Sequence, residues 1–433
     1  MITKKLIERI EGEASVYFKM KADKVDFASI VFPHFRGMEQ ILEGKNGLDA
    51  LVITPRVCGI CGHAHLMATV RALEDAYKKS GFRVEISQKA KSIREFTLIM
   101  EMIQNHIKWF YMVAAPELDK LLGMEHTSKP LKGAYVASLA AKAIAVFGGQ
   151  WPHSSYMVPG GVTSDPTYIE ILQAKSIVDD LIAFFEKESL GVSIEKFLSF
   201  ESCKEFNGIS SDISLFEEKL IQAGMHQKGF AHDNFLVMGE HSFSKATKLK
   251  HTRPYSVDVK YISTQDAYVE NSQESYAKNA LYKDSYYESG PLARLMASSF
   301  GMVKNMHRRY KDSAYSRSMA KVFEVATLLV AAKKLLESID ISEKSVASMV
   351  AIENVTAEGI GIVEAPRGPL IHKVTLKDGT ISDFTIITPT QFNIGSSSRE
   401  KPTPVQEAMK GNTQQEALFI FRTFDVCSVC TTH

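Results

Sequence analysis

Two Cys-x-x-Cys pairs, Cys58/Cys61 and Cys427/Cys430, stand near opposite ends of a 433-residue chain. Each pair lets two sulfurs converge on one centre, and together they offer four thiolates, a donor set suited to soft metals. If one centre joins them, both ends of the chain meet at it. That favours one large closed domain over the two or three that the length alone suggests.

Three readings compete for the four sulfurs. Zinc ribbons usually hold their pairs roughly 15–20 residues apart. Here most of the chain intervenes, so only a chain-closing structural zinc site survives from that class. A thioredoxin-like dithiol needs one pair and a βαβ setting, which the pattern lacks. A catalytic metal centre is the third reading, and the flanks favour it. Leu51-Val52-Ile53-Thr54 reads as a strand end ahead of Cys58, and Cys61 precedes a helix whose N-terminus would stabilise a thiolate. A metal would also pin a C-terminus that otherwise frays. Arg56 and Asp425 add charge that a structural site would not need.

Composition removes other classes. Cys203, between the two pairs, is the one cysteine of five outside them. An odd, small number of cysteines excludes a disulfide scaffold. Lys plus Arg is 51 and Asp plus Glu is 50, for a net charge of +1, so no bulk charge draws nucleic acid or an anionic membrane. No G-x-G-x-x-G follows a strand and no Walker pattern occurs, which argues against nucleotide binding. The N-terminus does not read as a secretory signal, and no window of about 18 uncharged apolar residues marks a membrane span. The expectation is a cytoplasmic chain, or one exported or held at a membrane by a partner.

Residues 13–32 alternate apolar and polar and read as two strands turning at Ala22-Asp23. Helices are expected from Cys61 to Gly81, over 86–113, 167–187 and 317–338. Residues 205–290 read as loop-rich with short strands, their tyrosines packing rather than stacking on bases. Leu370–Leu376 and Ile381–Ile387 flank Asp378-Gly379 as a hairpin. The resulting fold class is mainly α with small β elements (α+β). It is one domain over 1–433, with β pieces at about 13–32, a helical core at about 63–340, a hairpin at about 370–388 and a metal-binding tail at 425–433.

These residues resemble the large, catalytic subunit of nickel–iron hydrogenases over essentially the whole chain. Arg56-Val57-Cys58-Gly59-Ile60-Cys61, with His65, matches that family's Arg-x-Cys-Gly-x-Cys-x-x-x-His. Asp425 to His433 matches Asp-Pro-Cys-x-x-Cys-x-x-His with Val426 for proline. Arg9-Ile10-Glu11-Gly12 resembles the N-terminal signature, with Glu13 where His is usual, and Arg36-Gly37-Met38-Glu39 resembles Arg-Gly-x-Glu. Further family loops are similar to 148–153, 159–163, 290–294, Glu364-Ala365-Pro366-Arg367-Gly368, and 389–393 with Phe392 for tryptophan.

The resemblance implies a nickel–iron centre whose iron carries carbon monoxide and cyanide. Cys58 and Cys427 would be terminal nickel ligands, and Cys61 and Cys430 would bridge the metals. Heterolytic hydrogen cleavage needs a nearby base. Arginine is almost always protonated, so Cys427 is the preferred base, with Arg367 beside Pro366 orienting the site and supplying charge. Asp425 would brace Arg367, and Glu11 would carry the proton onward. Glu117 stands where the family commonly has Asp. His65 would orient a site cysteine or a carbonyl. Glu39 and His433 resemble an outer site for magnesium or another divalent cation. His63 and a buried Cys203 are read as structural.

The implied activity is reversible oxidation of hydrogen to protons and electrons, with uptake favoured. No cysteines remain for an iron–sulfur cluster, so the clusters would sit in a small partner subunit, in an assembly open to a dimer of heterodimers. A chain ending at His433 resembles either the matured form, which implies maturation proteins and a C-terminal endopeptidase, or a member encoded without an extension. The rivals are a quinone-site relative, which would lack the four cysteines, and a zinc-stabilised scaffold.

Overall fold

In strand β2 (Gly12–Lys21), Ala14, Val16 and Phe18 fall on one face and are fully buried, as period-two alternation requires. The structure is a computed structural model and describes residues 2–9, 12–125, 129–238, 247–250, 253–255, 257–270 and 274–433. β2 lies between β1 (Ile2–Arg9) and β3 (Lys24–Val31) in an antiparallel sheet. Ala22 and Asp23, at φ 48° and 60°, form the turn expected from sequence. β1 is an addition, because its ITKKLIER sequence is as charged as it is apolar.

Among the described residues, five long helices build the core: α1 (Gly62–Lys79), α2 (Gln88–Lys108), α3 (Pro130–Gly148), α4 (Tyr168–Phe184) and α5 (Ala314–Glu337). Their starts are chemically marked. Ser87 accepts from Ala90 N and Ser313 from Ser316 N, while Thr167 and Glu170 close a capping box on α4. α2 packs against both α3 and α5. Every residue of α2 from Phe96 to Ile107, and of α5 from Ala314 to Ala326, is buried. These two helices have no solvent face along that length, so their charged residues must find partners inside. α3 is long and apolar enough to cross a membrane by length and composition, and here it packs between α2 and α4.

The hairpin strands are β5 (Gly368–Lys377) and β6 (Thr380–Ile387), joined at Asp378-Gly379, and β4 (Ala357–Ala365) completes an antiparallel sheet in the order β4-β5-β6. β4 presses on α1. A Cβ at Gly359 would stand 2.0 Å from Ala72 O, and one at Gly361 1.9 Å from Ala68 O. Only glycine allows that approach. It fixes the sheet against the helix that begins at Cys61 and brings the β4–β5 turn, Pro366-Arg367, to the cysteines.

Two expectations need correction. Leu51–Thr54 is not a strand. Ala50–Ile53 is helical and Thr54–Arg56 is a 3₁₀ turn. Asn46 accepts from Leu48 N to start this helical stretch, and Pro55 has no N–H to give a sheet ladder. Within 205–290, Asp212–Gln222 is a helix capped by Ser211, burying Ile213, Phe216 and Leu220. The other described residues of that segment form loops, short strands and 3₁₀ turns such as Met225–Gln227 and Val259–Tyr261. Tyr282, Tyr286 and Tyr287 pack inside, whereas Tyr261, Tyr268 and Tyr276 are exposed.

Candidate metal centre

Cys61 caps α1, and Cys58 lies in the loop before it, its sulfur 3.4 Å from Ile60 N. Cys427 and Cys430 flank the start of the four-residue helix Ser428–Thr431. The two segments face each other. Sγ–Sγ distances are 3.4 Å for Cys58–Cys427, 3.0 Å for Cys61–Cys430 and 3.0 Å for Cys427–Cys430. All four sulfurs lie within 4.8 Å of one another, all four residues are buried, and none is in a disulfide.

This arrangement asks for a cation. Burial pushes the Cys61 and Cys430 thiols well above their ordinary value, and neighbouring sulfurs add to the push. Burial acts likewise on Cys58, where hydrogen bonds from the other thiols reverse it. Each pair of thiolates about 4 Å apart would repel by about 4 kcal/mol at an effective dielectric constant of 20. Four thiolates therefore coexist here only around positive charge, and soft donors favour a soft metal.

Arg367 supplies part of that charge from the β4–β5 turn. Its Nε donates to Asp425 O at 2.8 Å, Nη2 to Asp425 Oδ1 at 3.0 Å, and Nη1 to Asn105 Oδ1 at 3.1 Å. Burial works against its charge, but Asp425 and the cysteine sulfurs raise its pKa well above the ordinary value. Arg367 is thus a permanent donor. Asp425 reaches it from a left-handed backbone, φ 61°. Burial pushes the Asp425 carboxyl up, and Arg367 with Lys321 outweighs this and holds it below the usual 3.8. Val426, in place of the family's proline, is buried in the main core.

Arg36 straps the two cysteine segments together. Its Nη1 donates to Val57 O and, at 3.1 Å, to Val429 O, and its Nη2 donates to Arg56 O at 3.1 Å. α2 contributes from the other side. Asn105 Nδ2 donates to Ile60 O at 2.6 Å. Glu101, one turn earlier, accepts from His63 N at 2.9 Å and Ala64 N at 3.0 Å. These first-turn donors of α1, expected to support a thiolate, are therefore engaged by a carboxyl. Burial raises that carboxyl to about 7, against the pull of those N–H groups.

Other assignments shift. Glu117 was expected in the site from the resemblance. It lies twelve residues beyond Asn105 on a helical run continuous through Trp109–Ala114, about 18 Å of rise, and is half-buried. Asn105 instead is the α2 residue that meets Arg367. His65 does not orient a cysteine or a carbonyl through Nδ1, which lies 3.0 Å from His372 Nε2, while His372 Nδ1 meets Thr69 Oγ1 at 2.9 Å. Burial drives His65 to about 3, so it is neutral. His63 is also buried and neutral. Pro366 O accepts from Arg294 Nη2 at 3.0 Å. Glu39 and His433 do come together: Glu39 Oε1 accepts from Ile386 N at 2.7 Å and lies 3.5 Å from His433 Nε2. Cys203 is half-buried rather than buried. Glu11 lies outside the described residues.

Arg36 sits in a motif noticed from sequence, but its strapping role is not readable there. Glu101, Asn105 and Lys321 are missed altogether. The available signal was polar residues interrupting apolar helical runs, as in Leu98-Ile99-Met100-Glu101-Met102-Ile103, with Glu101 and Asn105 four apart on one face.

The profile of the nickel-dependent hydrogenase family matches residues 36–121 and 120–433. The periplasmic NiFeSe hydrogenase large subunit of Desulfomicrobium baculatum is 25% identical over 467 residues, covering 94% of this chain and 88% of that protein. The sulfhydrogenase 2 subunit alpha of Pyrococcus furiosus is 24% identical over 447 residues, covering 98% and 97%. A solved structure of the hydrogen-activated Dm. baculatum NiFeSe hydrogenase superposes with a TM-score of 0.82 at 22% identity, covering 100% of both chains. The mainly helical fold with small sheets is shared with it.

Proposed function

This chain belongs to the nickel-dependent hydrogenase family, and we propose that it is the catalytic large subunit of an enzyme that cleaves hydrogen heterolytically and oxidises it reversibly to protons and electrons. The observation that carries this reading is the quartet of buried thiols, all within 4.8 Å, faced by a permanently charged guanidinium.

The donor set fits a nickel–iron group. In this reading Cys58 and Cys427 would be ligands to nickel, Cys61 and Cys430 would serve nickel and iron together, and the iron would carry carbon monoxide and cyanide. When bound, that group supplies Lewis acidity and the two-electron redox change. The chain supplies the acid–base chemistry. Cys427 Sγ takes the proton released from hydrogen, since Arg367 is already protonated. Arg367 keeps its charge beside the sulfurs, braced by Asp425 and Asn105, and Pro366 fixes its turn. Glu11 takes the proton from Cys427 toward solvent.

The outer pair supports a hard cation. A carbonyl only accepts, so His433 Nδ1, 2.7 Å from Cys430 O, carries the hydrogen. Nε2 of the ring and the Glu39 carboxylate, 3.5 Å apart, would both be ligands to magnesium or another divalent cation between them. Four of five cysteines are committed, so electrons leave through iron–sulfur clusters of a small partner subunit. The same reading includes maturation proteins, a dimer of heterodimers, uptake as the favoured direction, and a cytoplasmic site or one reached through a partner.

Elemental analysis and infrared spectroscopy of protein matured in its native host test this reading. Nickel and iron with carbonyl and cyanide bands are expected; zinc without nickel, or no such bands, refutes it. Glu11→Gln is expected to slow turnover by ~10²–10⁴-fold, the usual worth of a proton-transfer group, with nickel content unchanged. Loss of nickel in that variant would make Glu11 structural.

A further inference from the structure

α5 turns Lys321 inward behind Arg367. The Lys321 side chain is only 5% exposed, and its Nζ lies 3.2 Å from Asp425 Oδ2 and 4.2 Å from the centre of the Trp109 ring. Among the described residues, neither Nζ nor Asp425 Oδ2 completes a hydrogen bond of good geometry, although both are buried. The contact is therefore an ion pair, and it depends on the charge of the amine. Lys321 also lines two voids, each about the size of a water molecule. One is shared with Arg367, Glu288 and Arg317, the other with His106 and Ser189.

We propose that Lys321 is a positioning residue for hydrogen oxidation: as an ammonium it holds the second oxygen of Asp425, so that the first oxygen and the carbonyl aim Arg367 at the four thiols. This rests on the hydrogenase reading above. Loss of that proton leaves Asp425 held by Arg367 alone and loosens the brace.

The surroundings set where the charge is lost. Asp425 faces the amine from the C-terminal segment, Arg367 from the β4–β5 turn and His106 from α2, while Glu324 follows one turn later on α5. Arg294 binds Glu324 through two bonds, at 2.7 and 2.6 Å, and so takes up much of that carboxylate. Arg317 and Glu288 across the void pair with each other at 2.8 Å. Asp425 is left as the main anionic partner. Burial lowers the Lys321 pKa from 10.5, against the pull of Asp425, to about 8. The ammonium is present below that pH and disappears as pH rises through it.

The test is the pH profile of kcat for hydrogen-dependent viologen reduction by the purified holoenzyme, normalised to nickel. The wild type is expected to lose activity along an alkaline limb centred near pH 8. Lys321→Arg keeps its charge at any working pH; it should retain most of the rate at pH 7 and move the limb up by at least about one pH unit. Lys321→Met should be about tenfold slower at pH 7 and show no limb near 8. A limb in Lys321→Arg at the wild-type position overturns the proposal, as does a wild-type profile in Lys321→Met. If Lys321→Met fails to load nickel, the limb of Lys321→Arg decides alone. A wild-type protein without nickel or hydrogen activity would instead overturn the hydrogenase reading, a result distinct from an unmoved limb in an active enzyme.

Discussion

Cys430→Ser is expected to give a folded chain that retains no nickel and reduces dye with hydrogen ~10³-fold more slowly or worse, since metal and activity are lost together. Cys430 Sγ is 3.0 Å from both Cys61 Sγ and Cys427 Sγ, so it makes the shorter of the two close sulfur contacts, 3.0 Å against 3.4 Å for Cys58–Cys427, that join the C-terminal pair to the α1 pair. A serine hydroxyl is a hard donor and stays protonated at neutral pH, so the quartet loses both a soft ligand and a negative charge. The fold should survive. The C-terminal segment is also held by Arg36, whose guanidinium grips Val429 O and whose main-chain N–H donates to Thr432 O. Elemental analysis and circular dichroism separate the two effects. Cys203→Ser is the control: it lies outside the quartet and should keep nickel and rate. Nickel at wild-type stoichiometry in Cys430→Ser would remove Cys430 from the ligand set.

The cysteines, Arg367, Asp425, Glu39 and His433 could be found in the sequence because each belongs to a short motif of chemically distinctive residues. The two sheets were readable where one face is buried, as at Val16 and Phe18, or where a two-residue turn is marked, as at Asp378-Gly379. Leu51–Thr54 failed because a four-residue apolar run has no decisive period, and only Pro55 argued against a strand. Asn105 and Lys321 were hidden for a different reason. α2 and α5 are buried on all sides where these residues sit, so helical periodicity gives no inside or outside to say which of the polar residues interrupting the apolar run meets the site. What singles them out is the partner each meets, Arg367 for Asn105 and Asp425 for Lys321, and those partners lie 262 residues and about a hundred residues away in sequence. Glu117 is the converse case. The family resemblance suggested a site role for it, but its position along the helix carries it away from Arg367.

Arg367→Lys is expected to keep nickel bound while lowering kcat by ~10²–10³-fold, the usual cost of removing a preorganised donor from a reacting centre. Lysine keeps the positive charge that four crowded sulfurs need, so metal retention should not suffer. It cannot keep the geometry. The guanidinium directs Nε and Nη2 at Asp425 and Nη1 at Asn105, three bonds of 2.8, 3.0 and 3.1 Å from one rigid plane. A single ammonium on a flexible stem can reach one of those partners at full strength. The buried oxygens left behind, on Asp425 or Asn105, would turn to other donors and shift the α2 and C-terminal walls of the site. Arg367→Met removes the charge as well, so it should lose nickel along with activity, and the difference between the two variants measures how much of the role of Arg367 is charge and how much is aim. Nickel loss in Arg367→Lys would place that arginine in holding the centre together, and a wild-type rate would remove it from catalysis.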